Sequence, residues 1–168
     1  QSSVEGEFFP GKLCSAEELA TNCGPTRETT CIPGKDEVYF VDSCGNPANI
    51  YDASKINDKD HWSNLKTKLE SCNPNSENAD SASCGNCNYL LGSYCRQSGI
   101  GGAGRATYGE NICADLNCPK TANGNSYRHG ESWCVFDDFG TIVKGKNSVG
   151  SRFYKHICIN GEEGLEQC

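Results

Sequence analysis

Thirteen cysteines in a chain of 168 residues constrain its fold more than any other feature of the sequence. They are spread along the whole chain, at Cys14, Cys23, Cys31, Cys44, Cys72, Cys84, Cys87, Cys95, Cys113, Cys118, Cys134, Cys158 and Cys168. This density and spread are typical of a disulfide framework formed in an oxidising compartment, whereas zinc ligands would cluster. Because thirteen is odd, at most six bridges can form within the chain and one thiol is left over.

The bridges are expected to substitute for a small hydrophobic core. Hydrophobic residues make up only 36% of the chain, and that figure includes the cysteines. Each bridge contributes roughly 2 to 4 kcal/mol, so several of them together match the roughly 5 to 15 kcal/mol by which a typical domain is stable. The sequence therefore predicts a small disulfide-rich fold, mainly β with short helices, built from antiparallel sheets and long irregular loops.

Charge and hydropathy exclude two classes of partner. The formal net charge is -7, and Lys and Arg are not clustered as phosphate binding requires, so no nucleic-acid partner is predicted. No stretch approaches the roughly 18 apolar residues of a membrane span, so the chain is not predicted to span a membrane. The chain has no Met and begins at Gln1, which predicts removal of a signal peptide and an extracellular or cell-surface location.

The clearest predicted sheet lies near the end of the chain. Residues 132–136 and 152–159 are rich in β-branched and aromatic residues, which favours two strands. Asn160 and Gly161 both tolerate positive φ and predict a type I′ turn that returns the chain as a third strand over residues 162–167. The predicted sheet carries three cysteines: Cys134, Cys158 and Cys168.

One short helix and one strand are predicted near the start. Ser15 and Glu18 have the spacing of a capping box, which predicts a helix over residues 15–23 that stops before Gly24. Residues 37–42 are rich in Val and aromatic residues and are followed by turn residues, which predicts a strand.

A second helix is predicted before the middle of the chain. Asp58 or Asp60 can cap a helix that runs to about Glu70. Three apolar residues would then share one face: Trp62, Leu65 and Leu69.

The polar stretch over residues 73–83 is the best candidate for a domain boundary. It would separate a cysteine-rich half over residues 14–75 from a cysteine-rich β module over 84–168. An N-terminal arm over residues 1–13 would precede the first half. The alternative is one continuous domain.

Cys84-Gly85-Asn86-Cys87 is the one C-x-x-C motif in the sequence. A thioredoxin-like redox pair would need a preceding buried strand, and residues 81–83 are a poor strand. A zinc knuckle would need a second ligand pair at matched spacing, which the sequence lacks. The favoured interpretation is that the two cysteines belong to separate structural bridges.

No catalytic residue and no cofactor are predicted. His129, Glu131 and Ser132 lie close together in sequence, and Arg152 and His156 can lie on a neighbouring strand, so a hydrolytic site can be imagined. A Gly-x-Ser-x-Gly elbow is missing, however, and no oxyanion-hole loop is recognisable.

A metal site is left open. Four residues could offer oxygen ligands to calcium, namely Asp52, Asn57, Asp58 and Asp60. Their spacing is not that of an EF-hand, and helix capping already accounts for Asp58 or Asp60.

Several segments together resemble recurring cysteine-rich modules in large secreted or surface proteins of small-genome, DPANN-type archaea. They are CGNPANIYDASKINDKDHW, SCGNCNYLLGSYC, GESWCVFD and VGSRFYKHICINGE, and the resemblance covers roughly residues 37–168. It implies an archaeal, extracellular, disulfide-stapled building block and supplies no catalytic residues.

The function predicted from these features is that of a structural subunit, without enzymatic activity, that assembles with copies of itself into an extracellular filament or surface layer. The contact between subunits is assigned first to the cysteine-free arm, with Val4, Phe8 and Phe9, and second to the terminal Cys168. Cys168 could instead lie near Cys134 of its own chain.

The alternative function is an extracellular binding module for a glycan or a host-cell surface. Exposed aromatic residues on loops would form its contact surface, and the candidates are Tyr89, Tyr94, Tyr108 and Trp133.

Overall fold

The computed structural model describes residues 8–71, 87–99, 105–136 and 153–167. In chain order the described elements are a 3₁₀ helix Glu17–Leu19, β1 Thr29–Cys31, β2 Val38–Val41, β3 Pro47–Ile50, a 3₁₀ helix Ala53–Lys55, α1 Lys68–Ser71, a 3₁₀ helix Tyr89–Leu91, β4 Ser93–Gln97, β5 Asn111–Asp115, β6 Ser132–Phe136, β7 Phe153–Ile159 and β8 Glu162–Gln167. They form three small sheets, β1-β2-β3, β4-β5 and β6-β7-β8. The predicted small, disulfide-rich and mainly β fold is confirmed.

The chain divides into two compact units. The first comprises Gln1–Asn88 and Tyr94–Ala114, and the second comprises Tyr89–Ser93 and Asp115–Cys168. The boundary predicted over residues 73–83 lies outside the described residues.

The sheet β1-β2-β3 forms one side of the core of the first unit. Strand β1 runs antiparallel to β2, and β2 runs antiparallel to β3. Along β2, Val38 and Phe40 are fully buried, while Tyr39 and Val41 are half-buried. This period of two in burial is that of a strand with one face toward the core, and it confirms the strand predicted over residues 37–42.

The core of the first unit is aromatic and sulfur-rich rather than aliphatic. The ring of Phe40 lies 5.0 Å, centroid to centroid, from both Tyr51 and Trp62. The buried cluster comprises Leu13, Val38, Phe40, Ala48, Tyr51, Trp62, Cys87, Cys95 and Cys113. Half-cystines thus occupy positions that aliphatic side chains fill in most cores.

Within the part of the chain that the structure describes, eight cysteines pair in four disulfides. The bridges are Cys23–Cys44, Cys31–Cys95, Cys87–Cys113 and Cys118–Cys158. Cys14 and Cys134 carry free, exposed thiols. The remaining three cysteines, Cys72, Cys84 and Cys168, lie outside the described residues.

The helix predicted over residues 15–23 is reduced to the single 3₁₀ turn Glu17–Leu19. Ser15 does not cap it, because its hydroxyl donates to the carbonyl of Trp62. Ala20 adopts a left-handed conformation, with φ of 50°, and ends the turn well before Gly24.

The prediction of a helix from Asp58 or Asp60 to Glu70 is wrong. Only α1, Lys68–Ser71, is helical there. Asp58 caps a turn instead, since its Oδ1 accepts hydrogen bonds from the backbone N–H groups of Asp60 and His61. The predicted apolar face is also not formed: Trp62 is buried, whereas Leu65 and Leu69 are 63% and 90% exposed.

The sheet β6-β7-β8 in the second unit was predicted almost to the residue. Strand β7 is antiparallel to both neighbours, with Trp133 opposite His156 and Ile159 opposite Glu162. Asn160 and Gly161 join β7 to β8 with φ of 56° and 82°. Both central residues have the positive φ of the predicted type I′ turn. This turn type suits a hairpin, because a type I turn would splay the two strands.

Phe40 is the residue whose loss should cost the first unit most. Phe40→Ala empties the space between Tyr51 and Trp62, so we expect the free energy of unfolding to fall by about 3 to 5 kcal/mol. Urea unfolding of the oxidised protein, followed by Trp fluorescence, measures this loss. Leu69→Ala is the control, because that side chain is 90% exposed and its loss should change the value by less than about 0.5 kcal/mol.

The disulfides should differ in how much each one stabilises the folded chain. Cys31–Cys95 closes a loop of 64 residues and Cys23–Cys44 a loop of 21. In the chain-entropy model this difference makes the longer bridge more stabilising by about 1 kcal/mol. Replacing each pair by alanine in turn and measuring thermal unfolding without reductant tests this. An equal or larger loss on removing Cys23–Cys44 would contradict it.

Candidate interaction surface

The root of the N-terminal arm, residues 11–13, is fixed to the first unit by backbone hydrogen bonds. The N–H of Leu13 donates to the Ser63 carbonyl at 3.0 Å, and the N–H of Leu65 donates to the Gly11 carbonyl at 2.8 Å. Leu13 is buried in the core. Residues 11–13 thus run alongside residues 63–65 as a short added strand.

Two apolar side chains of the arm lie just before this root and are not covered. Phe8 is 84% exposed and Phe9 is 44% exposed. The Phe9 carbonyl accepts a hydrogen bond from the N–H of Lys12 at 3.3 Å, so a turn holds Phe9 close to the fixed segment. Val4, the third predicted contact residue, lies outside the described residues.

A buried amide holds the segment on which the arm rests. Asn49 is 2% exposed, and its Nδ2 donates to the carbonyls of His61 and Asn64 at 2.5 and 2.8 Å. Its Oδ1 accepts from the N–H of Lys66 at 2.8 Å. Because this side chain ties down both ends of the loop over residues 61–66, it positions the arm indirectly. Nothing in the local sequence distinguished Asn49 from the many other Asn residues.

A second exposed apolar pair, which the sequence did not indicate, belongs to the second unit. Leu90 and Leu91, in the 3₁₀ helix Tyr89–Leu91, are 88% and 81% exposed. Tyr89 packs edge-on against the ring of His129 at 4.6 Å. Three consecutive apolar residues before a Gly would have been the signal for this surface.

Three of the four predicted glycan-contacting aromatics have rings engaged within the chain. The Trp133 ring stacks on Tyr127 with centroids 3.6 Å apart and lies 5.6 Å from the ring of His156. The Arg27 guanidinium lies 5.4 Å from the Tyr108 ring centroid, and the Tyr89 ring contacts His129. The fourth aromatic, Tyr94, is 37% exposed.

The imagined hydrolytic site is not assembled by the described residues. His156 Nδ1 lies 2.5 Å from Glu163 Oε1, and the other Glu163 oxygen accepts from the N–H of Ala122 at 2.7 Å. The Ala122 N–H, followed by His156, lowers the pKa of Glu163. His156 is therefore bound to an acid on β8, which sequence reasoning did not identify.

The other three described members of the imagined site also have different partners. His129 Nδ1 accepts from the N–H of Asn160, and Glu131 accepts from the N–H of Arg128. Ser132 lies on β6 opposite Ile157. Arg152 is outside the described residues.

Three of the four candidate calcium ligands have a carboxylate oxygen engaged with a protein group. Asp58 pairs with Lys55 at 3.1 Å, and Asp60 pairs with Lys66. Asp52 Oδ1 accepts from both the N–H and the hydroxyl of Ser54. Asn57 lies exposed in the turn beside them.

Elsewhere in the described residues, the ligand atoms of Cys23, Asp42 and Cys44 lie within 4.8 Å of one another. Those two cysteines are bridged to each other and offer no thiolate. Cys87 of the C-x-x-C motif is bridged to Cys113, while Cys84 lies outside the described residues.

A buried polar pair that the sequence did not reveal lies beside the core. Asp52 and His61 are 0% and 3% exposed, and Asp52 Oδ2 and His61 Nε2 have no hydrogen-bond partner among the described residues. Burial lowers the pKa of His61, although the nearby Asp52 and Asp58 oppose this shift. The imidazole is therefore held in its neutral form.

The chain matches no protein-family model, no curated protein and no solved structure. The resemblance to archaeal surface proteins therefore stays a prediction. Among the described residues, no helix has the length and hydropathy that a membrane span requires.

Buried His61 should make the first unit sensitive to mild acid. The pKa of His61 in the folded chain lies below the ordinary value of 6.5. Just below pH 6.5, His61 therefore binds a proton in the unfolded chain more readily than in the folded chain. Stability is present above pH 6.5 and is lost as pH falls below it, by up to about 1.4 kcal/mol per pH unit. Urea unfolding at several values from about pH 7.5 to about pH 5, on both sides of the ordinary histidine pKa, measures this loss of stability.

His61→Gln removes the titrating group and should flatten this part of the profile. His129→Gln is the matched control, since it removes a half-exposed imidazole from the second unit and leaves the His61 contribution in place. An unchanged profile in His61→Gln would show that other groups cause the acid sensitivity.

Proposed function

We propose that this chain is a secreted, disulfide-stapled structural subunit that associates with copies of itself in an extracellular filament or surface layer. The observation that carries the proposal is the placement of Phe8, which is 84% exposed although it precedes a root that is hydrogen-bonded to Ser63 and Leu65. Its neighbour Phe9 is also exposed, and adjoining apolar side chains left uncovered beside a fixed point are typical of a contact surface.

Two free-energy gains would favour assembly through the arm. Burying Phe8 and Phe9 would contribute roughly 1.5 to 3 kcal/mol each. An extended arm can add a strand to the edge of a neighbour's sheet and gain main-chain hydrogen bonds as well. The arm already makes main-chain hydrogen bonds within its own chain, through an isolated antiparallel bridge between Lys12 and Asn64.

The cysteines support the proposed compartment. Four disulfides within the described residues are typical of proteins that fold in an oxidising environment. We propose no catalytic role, because His129, Glu131 and His156, which the sequence offered for one, are hydrogen-bonded to other groups of the chain.

The alternative of a glycan-binding module has less support. Aromatic platforms bind sugars through open ring faces, and the Trp133 ring is stacked against Tyr127. Apart from Phe8, the most exposed apolar side chains are leucines, which offer no flat face to a sugar.

Replacing both arm aromatics tests the proposal. We expect Phe8→Ser/Phe9→Ser to fold normally, since neither side chain is buried, and to self-associate at least about tenfold more weakly, which corresponds to about 1.4 kcal/mol. Sedimentation velocity over a range of protein concentrations measures the association.

The matched control is Leu90→Ser/Leu91→Ser, which removes the other exposed apolar pair. It should leave association through the arm unchanged. A wild-type protein that stays monomeric at every concentration would overturn the proposal, and an effect of the leucine variant alone would move the contact to the second unit.

A further inference from the structure

Among the described strands, one edge of β6 has no neighbour. In the sheet β6-β7-β8 one side of β6 pairs with β7. None of the described residues donates or accepts a backbone hydrogen bond on its other side. Such an edge presents a row of free N–H and C=O groups, which is a template for pairing with another strand.

The two edges of this sheet differ in charge. Strand β8 carries Glu162, Glu163 and Glu166, so a second β8 beside it would bring like charges together. Strand β6, with the sequence SWCVF, has no charged residue. Edge charges are a common device against pairing between molecules, and β6 lacks that protection.

The sequence of β6 suits pairing with itself. The strand has five residues, and Cys134 is the central one. If a second β6 runs antiparallel beside it around a two-fold axis at Cys134, then Cys134 lies opposite its own copy. Trp133 then lies opposite Val135, and Ser132 opposite Phe136.

The geometry at the centre matches that of a disulfide. Directly opposed residues of antiparallel strands have Cα atoms about 4.5 to 5.5 Å apart, and disulfides span about 4.4 to 6.8 Å. The bridges within this chain span 5.3 to 5.9 Å. The Cys134 thiol is free and exposed.

We propose that the outer edge of β6 pairs with the same edge of a second copy, and that Cys134 closes a disulfide across the two-fold axis. The new S–S bond forms as both thiols lose their protons and together give two electrons to a small-molecule disulfide oxidant, which is reduced to two thiols. The result is a continuous six-stranded sheet shared by two subunits, each contributing three strands.

This interface rests on the proposed self-assembly and adds to it. A two-fold contact by itself closes on a dimer, whereas the arm supplies a second and different contact. A subunit that has both contacts can join dimers into an open chain.

The test is to oxidise the full chain with oxidised glutathione and to identify linked peptides by mass spectrometry after proteolysis without reductant. We expect a covalent dimer joined through Cys134 on both sides. Cys134→Ser should abolish this dimer. Cys14→Ser is the matched control, because it removes the other exposed free thiol and should leave the dimer in place.

A second variant tests the strand pairing with the thiol intact. Ser132 is an exposed residue of β6, and Ser132→Lys places a charge on the edge at a position that tolerates it. We expect covalent dimer formation to slow by about tenfold or more, since an edge Lys opposes pairing. Ser132→Thr should dimerise like the wild type.

The outcomes separate this interface from the arm contact. Linkage of Cys134 to any other cysteine, or unchanged dimerisation of Ser132→Lys, would overturn the β6 interface and leave assembly through the arm standing. A wild-type monomer whose Cys134 reacts freely with iodoacetamide would overturn both proposals. A monomer whose Cys134 resists alkylation would show that the chain itself covers the edge, which also overturns the interface.

Discussion

Covalent links between distant parts of the chain are the constraint on which the first unit depends. Cys31 at the end of β1 is bridged to Cys95 in β4, and Cys87 is bridged to Cys113 in β5. These bridges fix two sheets of a few short strands that would be marginal alone. Their sulfur atoms also fill core space beside Phe40, so one group of residues provides both the cross-link and the packing.

Short strands leave most of the backbone to be held by side chains. Asn49 and Asp58 take this role around the loop that ends at Lys66, and their hydrogen bonds replace the helix that the sequence favoured. The same loop receives the arm, so a polar residue in the interior determines where Phe9 lies at the surface. The proposed contact surface is therefore a consequence of how the loop is tied down.

Features set by local chemistry could be predicted from the sequence, and those set by distant contacts could not. The turn at Asn160 and Gly161 follows from backbone sterics, and it fixed the register of the sheet around it. The helix prediction around Trp62 failed because that residue packs against Phe40. For the candidate surface, the sequence indicated Phe8 and Phe9 but not the exposed leucines near Gly92. The pairing of the cysteines depends on the whole fold, and no local signal carries it.

The overlap of two bridges, Cys31–Cys95 and Cys87–Cys113, has a mechanical consequence for the proposed extracellular subunit. Pulled apart at Cys23 and Cys113, the backbone alone would extend over 90 residues, or roughly 300 Å. The shortest covalent path instead crosses the two bridges and two stretches of backbone, from Cys23 to Cys31 and from Cys95 back to Cys87. Those stretches span 8 residues each, which together with the two bridges limits the extension to roughly 65 Å. Under tension, the first unit therefore acts as a short tether that keeps most of its contour length locked until a sulfur–sulfur bond breaks.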